Sequence, residues 1–117
     1  YFGKSPLYTA SRLKHESIVR LLLNAGADVN QTNRFGETAC FVVSFLGNLP
    51  ILNMLIQAGA DINRPNNYGQ TPLSIATSCG HKSVVELILR KGTNVSHLDD
   101  RCKDAISIAR RKGNFAI

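Results

Sequence analysis

Apolar residues recur at helical spacing in short blocks, and each block is bounded by a capping residue and a glycine. In one such block Thr71 is placed to cap a helix whose first position is Pro72, where a missing N–H costs nothing. Gly80 interrupts the chain, and Val84, Val85, Ile88 and Leu89 form the apolar stripe of a second helix expected from about His81 to Lys91. Gly92 is expected to end that helix in a left-handed conformation, which glycine adopts without strain. The same signals open the chain, with Ser5-Pro6 at the cap and Ile18, Val19, Leu22 and Leu23 on the second stripe. Asp28, Asn30, Asp61 and Asn63 fall between blocks, where short polar side chains bond their own backbone in tight turns. The pattern predicts helix-turn-helix units joined by hairpin loops, the inner helix short and the outer one longer.

The blocks are copies of one unit. Gly3, Gly36 and Gly69 lie 33 residues apart with Cys102 in the fourth slot, and Gly26, Gly59 and Gly92 repeat the period at a second position. Ala10, Val43, Ala76 and Ala109 keep step, as do Asn30, Asn63 and Ser96, and Leu22, Leu55 and Ile88. A fixed period of this length marks an array of stacked supersecondary units. The segments Thr71-Pro72-Leu73-Ser74-Ile75-Ala76, Gly80-His81-Lys82-Ser83-Val84-Val85, Asn24-Ala25-Gly26-Ala27-Asp28-Val29-Asn30 and Gln57-Ala58-Gly59-Ala60-Asp61-Ile62-Asn63 resemble the ankyrin repeat. The resemblance implies an all-α ankyrin-repeat solenoid of helix-turn-helix units with short β-hairpin loops and about three and a half repeats. The expected units are residues 1–32 (incomplete at its start), 33–65 and 66–98, then a partial, degenerate unit at 99–117. Tyr1 falls at the second position of a unit and Ile117 near the nineteenth, so the chain is expected to be part of a longer array or multidomain protein.

Departures from the pattern are equally readable. Lys14 takes the slot held by Gly47 and Gly80, at an expected cost of about 1 kcal/mol if it keeps a left-handed backbone. The second unit has Thr38-Ala39-Cys40-Phe41 in place of a Thr-Pro start, and Pro50 follows the cap Asn48 by two residues, inside the first turn where proline is tolerated. The fourth unit is the weakest, with Cys102 for glycine and Asp104-Ala105 for the capping pair, and fraying is expected to begin there.

Composition narrows the class. Hydrophobic residues make up 44% and charged residues 19%, an ordinary folded-domain balance. The longest apolar stretches, Ala39 to Phe45 and Ile51 to Ile56, are far too short to span a membrane. Cys40, Cys79 and Cys102 form no close pair, which argues against a disulfide framework or zinc site and for a reducing compartment, the cytoplasm or nucleus.

Candidate chemistry is sparse. His15 and His81 occupy equivalent positions at the start of outer helices, and Asp28 and Asp61 are hairpin residues in phase, so the period explains them without a metal or acid-base role. No phosphate loop or nucleophile motif is present, and no catalytic residue, cofactor or metal is expected. Cys40 stands where the family usually has a buried leucine and is expected in the core. The glycosylation patterns at Asn30-Gln31-Thr32 and Asn94-Val95-Ser96 coincide with hairpin positions that the fold already explains.

Surface is what remains. The resemblance implies that a partner contacts the hairpin tips and the exposed side of the inner helices, which line one concave face. Mapped by phase, the candidate contacts are Phe2, Lys4, Arg12, Leu13, Arg34, Phe35, Phe45, Leu46, Tyr68 and Arg101. Phe2, Phe35 and Tyr68 recur at one position as an aromatic ladder, and Leu13, Phe45 and Leu46 are expected to floor an apolar groove behind it. The alternative for Phe2 and Phe35 is burial against neighbouring hairpins. A net charge of +6 favours an acidic partner, so the expected ligand is another protein, with an extended acidic and apolar segment suiting ladder and charge together. The expected function is a protein-binding scaffold, adaptor or targeting module without catalysis. Two alternatives stand beside it: the substrate-selecting or regulatory arm of an enzyme such as a ubiquitin ligase or kinase, and nucleic-acid binding by the basic face, which rests on charge alone.

Overall fold

The computed structural model describes residues 5–91. Phe2, Lys4, Gly92, His97, Arg101, Cys102 and the expected fourth unit lie outside the described residues.

Six α-helices form among the described residues, with no strand: α1 (Pro6–Arg12), α2 (Glu16–Asn24), α3 (Ala39–Leu46), α4 (Leu49–Gln57), α5 (Pro72–Ser78) and α6 (Lys82–Arg90). Inner helices start at side-chain caps. Ser5 Oγ accepts from the Tyr8 N–H at 3.0 Å, and Thr38 Oγ1 from the Phe41 N–H at 3.1 Å. At α5 the cap is reciprocal, because Thr71 Oγ1 accepts from the Ser74 N–H and Ser74 Oγ accepts from the Thr71 N–H. Asn48 caps α4 through the Ile51 N–H at 3.2 Å, and Pro50 sits in the first turn as expected. The histidines do not cap in this way: His15 and His81 precede α2 and α6 with no side-chain bond to the helix start.

Each pair of helices turns on a residue with positive φ: Lys14 (+64°), Gly47 (+76°) and Gly80 (+77°). Lys14 is the only non-glycine of this kind among the described residues, so the strain expected from the sequence is present. Outer helices α2 and α4 end alike. The Ala27 and Ala60 N–H groups reach back to the Leu22 and Leu55 carbonyls, each at 3.0 Å, across Gly26 and Gly59, which lie at φ +86° and +94°.

Two layers result, with α1, α3 and α5 stacked side by side and α2, α4 and α6 stacked behind them. Leu7, Val19, Val43, Ile51, Leu52, Leu55, Leu73, Val84, Leu87 and Ile88 are buried between pairs. Cys40 is fully buried in this core, as its slot predicts, and removal from water pushes its thiol up to about 12. On the expected stripe of α2, Val19 is buried but Ile18 is exposed, because no helix pair packs against that side of α2 among the described residues.

The hairpins are closed largely by side chains rather than by a strand ladder. Asn33 and Glu37 share one backbone bond at 3.0 Å, while Asn33 Oδ1 accepts from the Phe35 and Glu37 N–H groups. Asn66 repeats this with Tyr68 and Gln70, at 2.9 Å to each. Successive hairpins are latched together. Asn67 donates its N–H to the Phe35 carbonyl at 2.9 Å and its Nδ2 to the Arg34 carbonyl at 3.0 Å, and Asn30 Oδ1 accepts from the Asp61 N–H at 2.7 Å.

Gly36 (φ +75°) carries both constraints of this latch, since a Cβ there would lie 2.5 Å from Asn67 Oδ1 and 3.0 Å from Asn67 N. At Gly59 a Cβ would meet nothing within 4 Å, so only the backbone conformation opposes substitution. Gly59→Val is expected to cost about 1–2 kcal/mol from strain alone, and Gly36→Ala more than Gly59→Ala, both read from denaturant midpoints. Equal midpoints for the two alanine variants would rule out the latch as a constraint. Lys14→Gly relieves strain of about 1–2 kcal/mol but frees the unfolded chain by about 0.4–1 kcal/mol, so the variant should gain roughly 0.5–1 kcal/mol.

Candidate functional site

The open side of the inner helices holds a cleft of about 480 Å³. It is lined by Tyr8 and Arg12 from α1, Glu37 from the hairpin base, Phe41, Val42, Phe45 and Leu46 from α3, and Gln70 and Ile75 from the next unit. The helical period explains the walls: Phe41, Val42 and Phe45 lie on neighbouring faces of α3, with Phe41 and Val42 buried at the base and Phe45 half exposed. Arg12 stands exposed in the last turn of α1.

One polar cluster braces the cleft. Tyr8 donates its hydroxyl to Glu37 Oε1 at 3.1 Å, and Asn33 Nδ2 donates to the same oxygen at 3.0 Å. Burial, reinforced by the Glu37 charge and by the bond to it, pushes the Tyr8 hydroxyl up to about 12, against smaller opposing effects of Arg12 and Asn33. Glu37 is thus committed to joining α1 to the second hairpin.

Of the sequence-predicted contacts, the structure gathers Arg12, Phe45 and Leu46 into this cleft. Leu13 does not line it; as the residue that ends α1 it is exposed beside the turn at Lys14, so it does not help floor the groove as expected. Phe35 and Tyr68 stand at the hairpin tips, in equivalent slots but unequal surroundings. Tyr68 is 64% exposed, whereas Phe35 is 38% exposed with the Arg34 guanidinium 4.8 Å from its ring centroid. A cation over the ring face is attractive and covers part of it. Phe2, Lys4 and Arg101 lie outside the described residues. The sequence mapping passed over Tyr8, Phe41, Val42 and Ile75, although all four belong to inner helices whose phase was known; the available signal was the i, i+3, i+4 neighbourhood of Phe45 and its in-phase partners.

No group of three or more His, Cys, Asp or Glu side chains among the described residues is arranged to hold a metal ion. His81 instead ties pairs together: its Nε2 lies 2.8 Å from the Phe45 carbonyl, and its ring fills the space over Gly47. No helix among the described residues is long and apolar enough to cross a membrane.

Because the fold favours the neutral Tyr8 phenol, its contribution is fully present below the ordinary tyrosine value near 10 and is lost as pH rises towards about 12. The stability of the parent chain should therefore fall more steeply than that of Tyr8→Phe between pH 10 and 12. Parallel pH profiles for the two proteins would remove Tyr8 from that loss.

A comparison with curated proteins gives no match. A family model described as ankyrin repeats, in three copies, matches residues 7–99. With paired helices, left-handed turns and Asn-closed hairpins recurring through the described part of that stretch, the chain belongs to the ankyrin-repeat family, whose repeats are generally protein-protein interaction modules and typically not catalytic.

Proposed function

We propose that this chain is a scaffold or targeting module without chemistry of its own, which binds a partner protein along the inner-helix cleft and the hairpin tips. The observation that carries this reading is the half-exposed Phe45 over a cleft with a buried apolar base, with Arg12 in the same lining. An aromatic anchor beside a guanidinium is a common hot-spot composition, and helices supply it on a rigid support. The partner is an extended segment with apolar side chains for the cleft and acidic ones for Arg12 and Arg34. Glu37 is held at the hairpin base by Tyr8 and Asn33, so the acidic side chains of the partner meet Arg12 and Arg34 rather than the Glu37 end of the cleft. We place the protein in the cytoplasm or nucleus, a placement supported by the free thiols of Cys40 and Cys79.

The test is capture of a partner by the parent chain, followed by affinity measurements on folded variants. Phe45→Ala and Tyr68→Ala should each weaken binding at least roughly tenfold, while Asn53→Ala, on the exposed side of α4, should leave it unchanged. Arg12→Glu should mainly slow association, more so at low salt. A partner that tolerates the Phe45 and Tyr68 variants but is lost on Asn53→Ala or Ser83→Ala binds the outer helices and overturns the proposal.

A further inference from the structure

Between the outer helices α2 and α4 lies a solvent-facing groove of about 420 Å³, lined by Arg20, Leu23 and Asn24 from the first and by Met54, Gln57 and Ala58 from the second. It shares no lining residue with the inner-helix cleft. Across it Arg20 donates through Nη2 to Met54 Sδ at 3.9 Å, a contact between residues 34 apart that ties one helix pair to the next. Arg20 is exposed and has no acidic partner among the described residues. A thioether is a weak acceptor, so most of the hydrogen-bonding capacity of this guanidinium is unused.

The pairing is particular to this joint. One period later, between α4 and α6, the same two slots hold Asn53 and Leu87, so cation and sulfur are absent there together. Met54 is the single methionine of the chain. It is half-buried, packed against the core and also part of the groove lining, so a small oxidant in water can reach it without unfolding the pair. Oxidation of a core methionine ordinarily disrupts packing, because it sets a polar oxygen among apolar atoms. At Met54 that oxygen would be carried by an atom already beside a charged donor, within ordinary hydrogen-bond reach of it. A sulfoxide oxygen accepts such a bond far better than a thioether does. The side-chain amides of Asn24 and Gln57 supply further donors in the same lining.

We propose that Met54 is a modification site for a hydroperoxide, and that Arg20 holds the resulting sulfoxide oxygen across the joint between α2 and α4. The Sδ lone pair attacks the terminal peroxide oxygen, and the S–O bond forms as the O–O bond breaks. Sulfur gives up two electrons and the peroxide gains them. The departing oxygen takes the proton of the transferred one and leaves as water or an alcohol. Arg20 stays charged throughout and acts as a positioning residue for the product. A sulfoxide reductase working with a dithiol restores the thioether. Oxidation thereby exchanges a weak contact for a charge-assisted one at the joint between the first two helix pairs.

The test applies hydrogen peroxide to the chain in a Cys79→Ser, Cys102→Ser background, which leaves the fully buried Cys40 as its remaining thiol. Peptide mass spectrometry locates the added oxygen on Met54. The folded protein should be oxidised within about tenfold of the rate measured in denaturant. Oxidation that tracks the unfolded fraction shows a closed site and overturns the proposal. Folding equilibria of reduced and oxidised protein are then compared in the parent and in Arg20→Ala. Oxidation should shift the parent by less than about threefold, and Arg20→Ala by at least roughly tenfold towards the unfolded state. An equal penalty in the two proteins means that Arg20 does not hold the oxygen. Met54→Leu, a volume-conserving swap, should fold as the parent does and show no response to peroxide. A stability change on peroxide treatment that persists in Met54→Leu arises elsewhere and counts against the site.

Discussion

Everything in this molecule depends on one constraint: no helix pair can bury its own apolar surface, so each must be closed by its neighbour. Ile51 is fully buried in α4, which packs on both α2 and α6, whereas its counterpart Ile18 is exposed on α2, which meets one outer helix among the described residues. Stacking works only at a fixed spacing, and the polar latches set it. Asn30 holds the Asp61 N–H and so pins the first unit to the second at the outer turn, while Asn67 on the Phe35 and Arg34 carbonyls and His81 on the Phe45 carbonyl pin the second to the third at hairpin and inner-helix end. The 33-residue period is the sequence image of that geometry, because a residue with a given job must return where the next joint needs it.

Features decided within a few residues of chain were legible in the sequence. Thr71 and Pro72 start a helix, Gly80 turns it, and Lys14 occupies a left-handed position, because each outcome follows from local backbone bonds and sterics. The family was legible for the same reason, since several local signals recur in phase. Features decided between units were harder to read. Asn33 and Asn66 lie one period apart, yet their role in closing hairpins emerges only when both N–H groups reached by each Oδ1 are located. The Tyr8–Glu37 bond joins residues 29 apart in sequence, a separation that no helical or hairpin spacing suggests. Leu13 and Ile18 read as ordinary members of an apolar pattern, and their exposure reflects which neighbour lies against them rather than what they are.

The cleft follows from the same division of labour. Inner helices spend one face on their neighbours and leave a strip uncovered, and on α3 that strip carries Phe45 above the buried Phe41 and Val42. Glu37, the one carboxylate lining the cleft, is held by Tyr8 and Asn33, while Arg12 at its edge stays exposed. The two charges of the lining therefore differ in freedom, Glu37 fixed at the hairpin base and Arg12 free to follow a ligand. Phe35 and Tyr68 show how the same slot diverges in use: the Arg34 guanidinium covers part of one ring, whereas Tyr68 projects further into solvent.

Stacking and binding are coupled through α1. This helix supplies Tyr8 and Arg12 to the cleft, and it belongs to the pair on whose other side Ile18 and Leu21 are exposed among the described residues. Opening of α1 and α2 would remove one wall of the cleft and one of the two donors that hold Glu37. Whatever covers Ile18 and Leu21 stabilises the closed form of that wall, and a ligand that needs the wall intact binds more tightly when the closed form is more populated. Packing against the Ile18 and Leu21 side thus sets how fully the cleft is formed before a partner arrives.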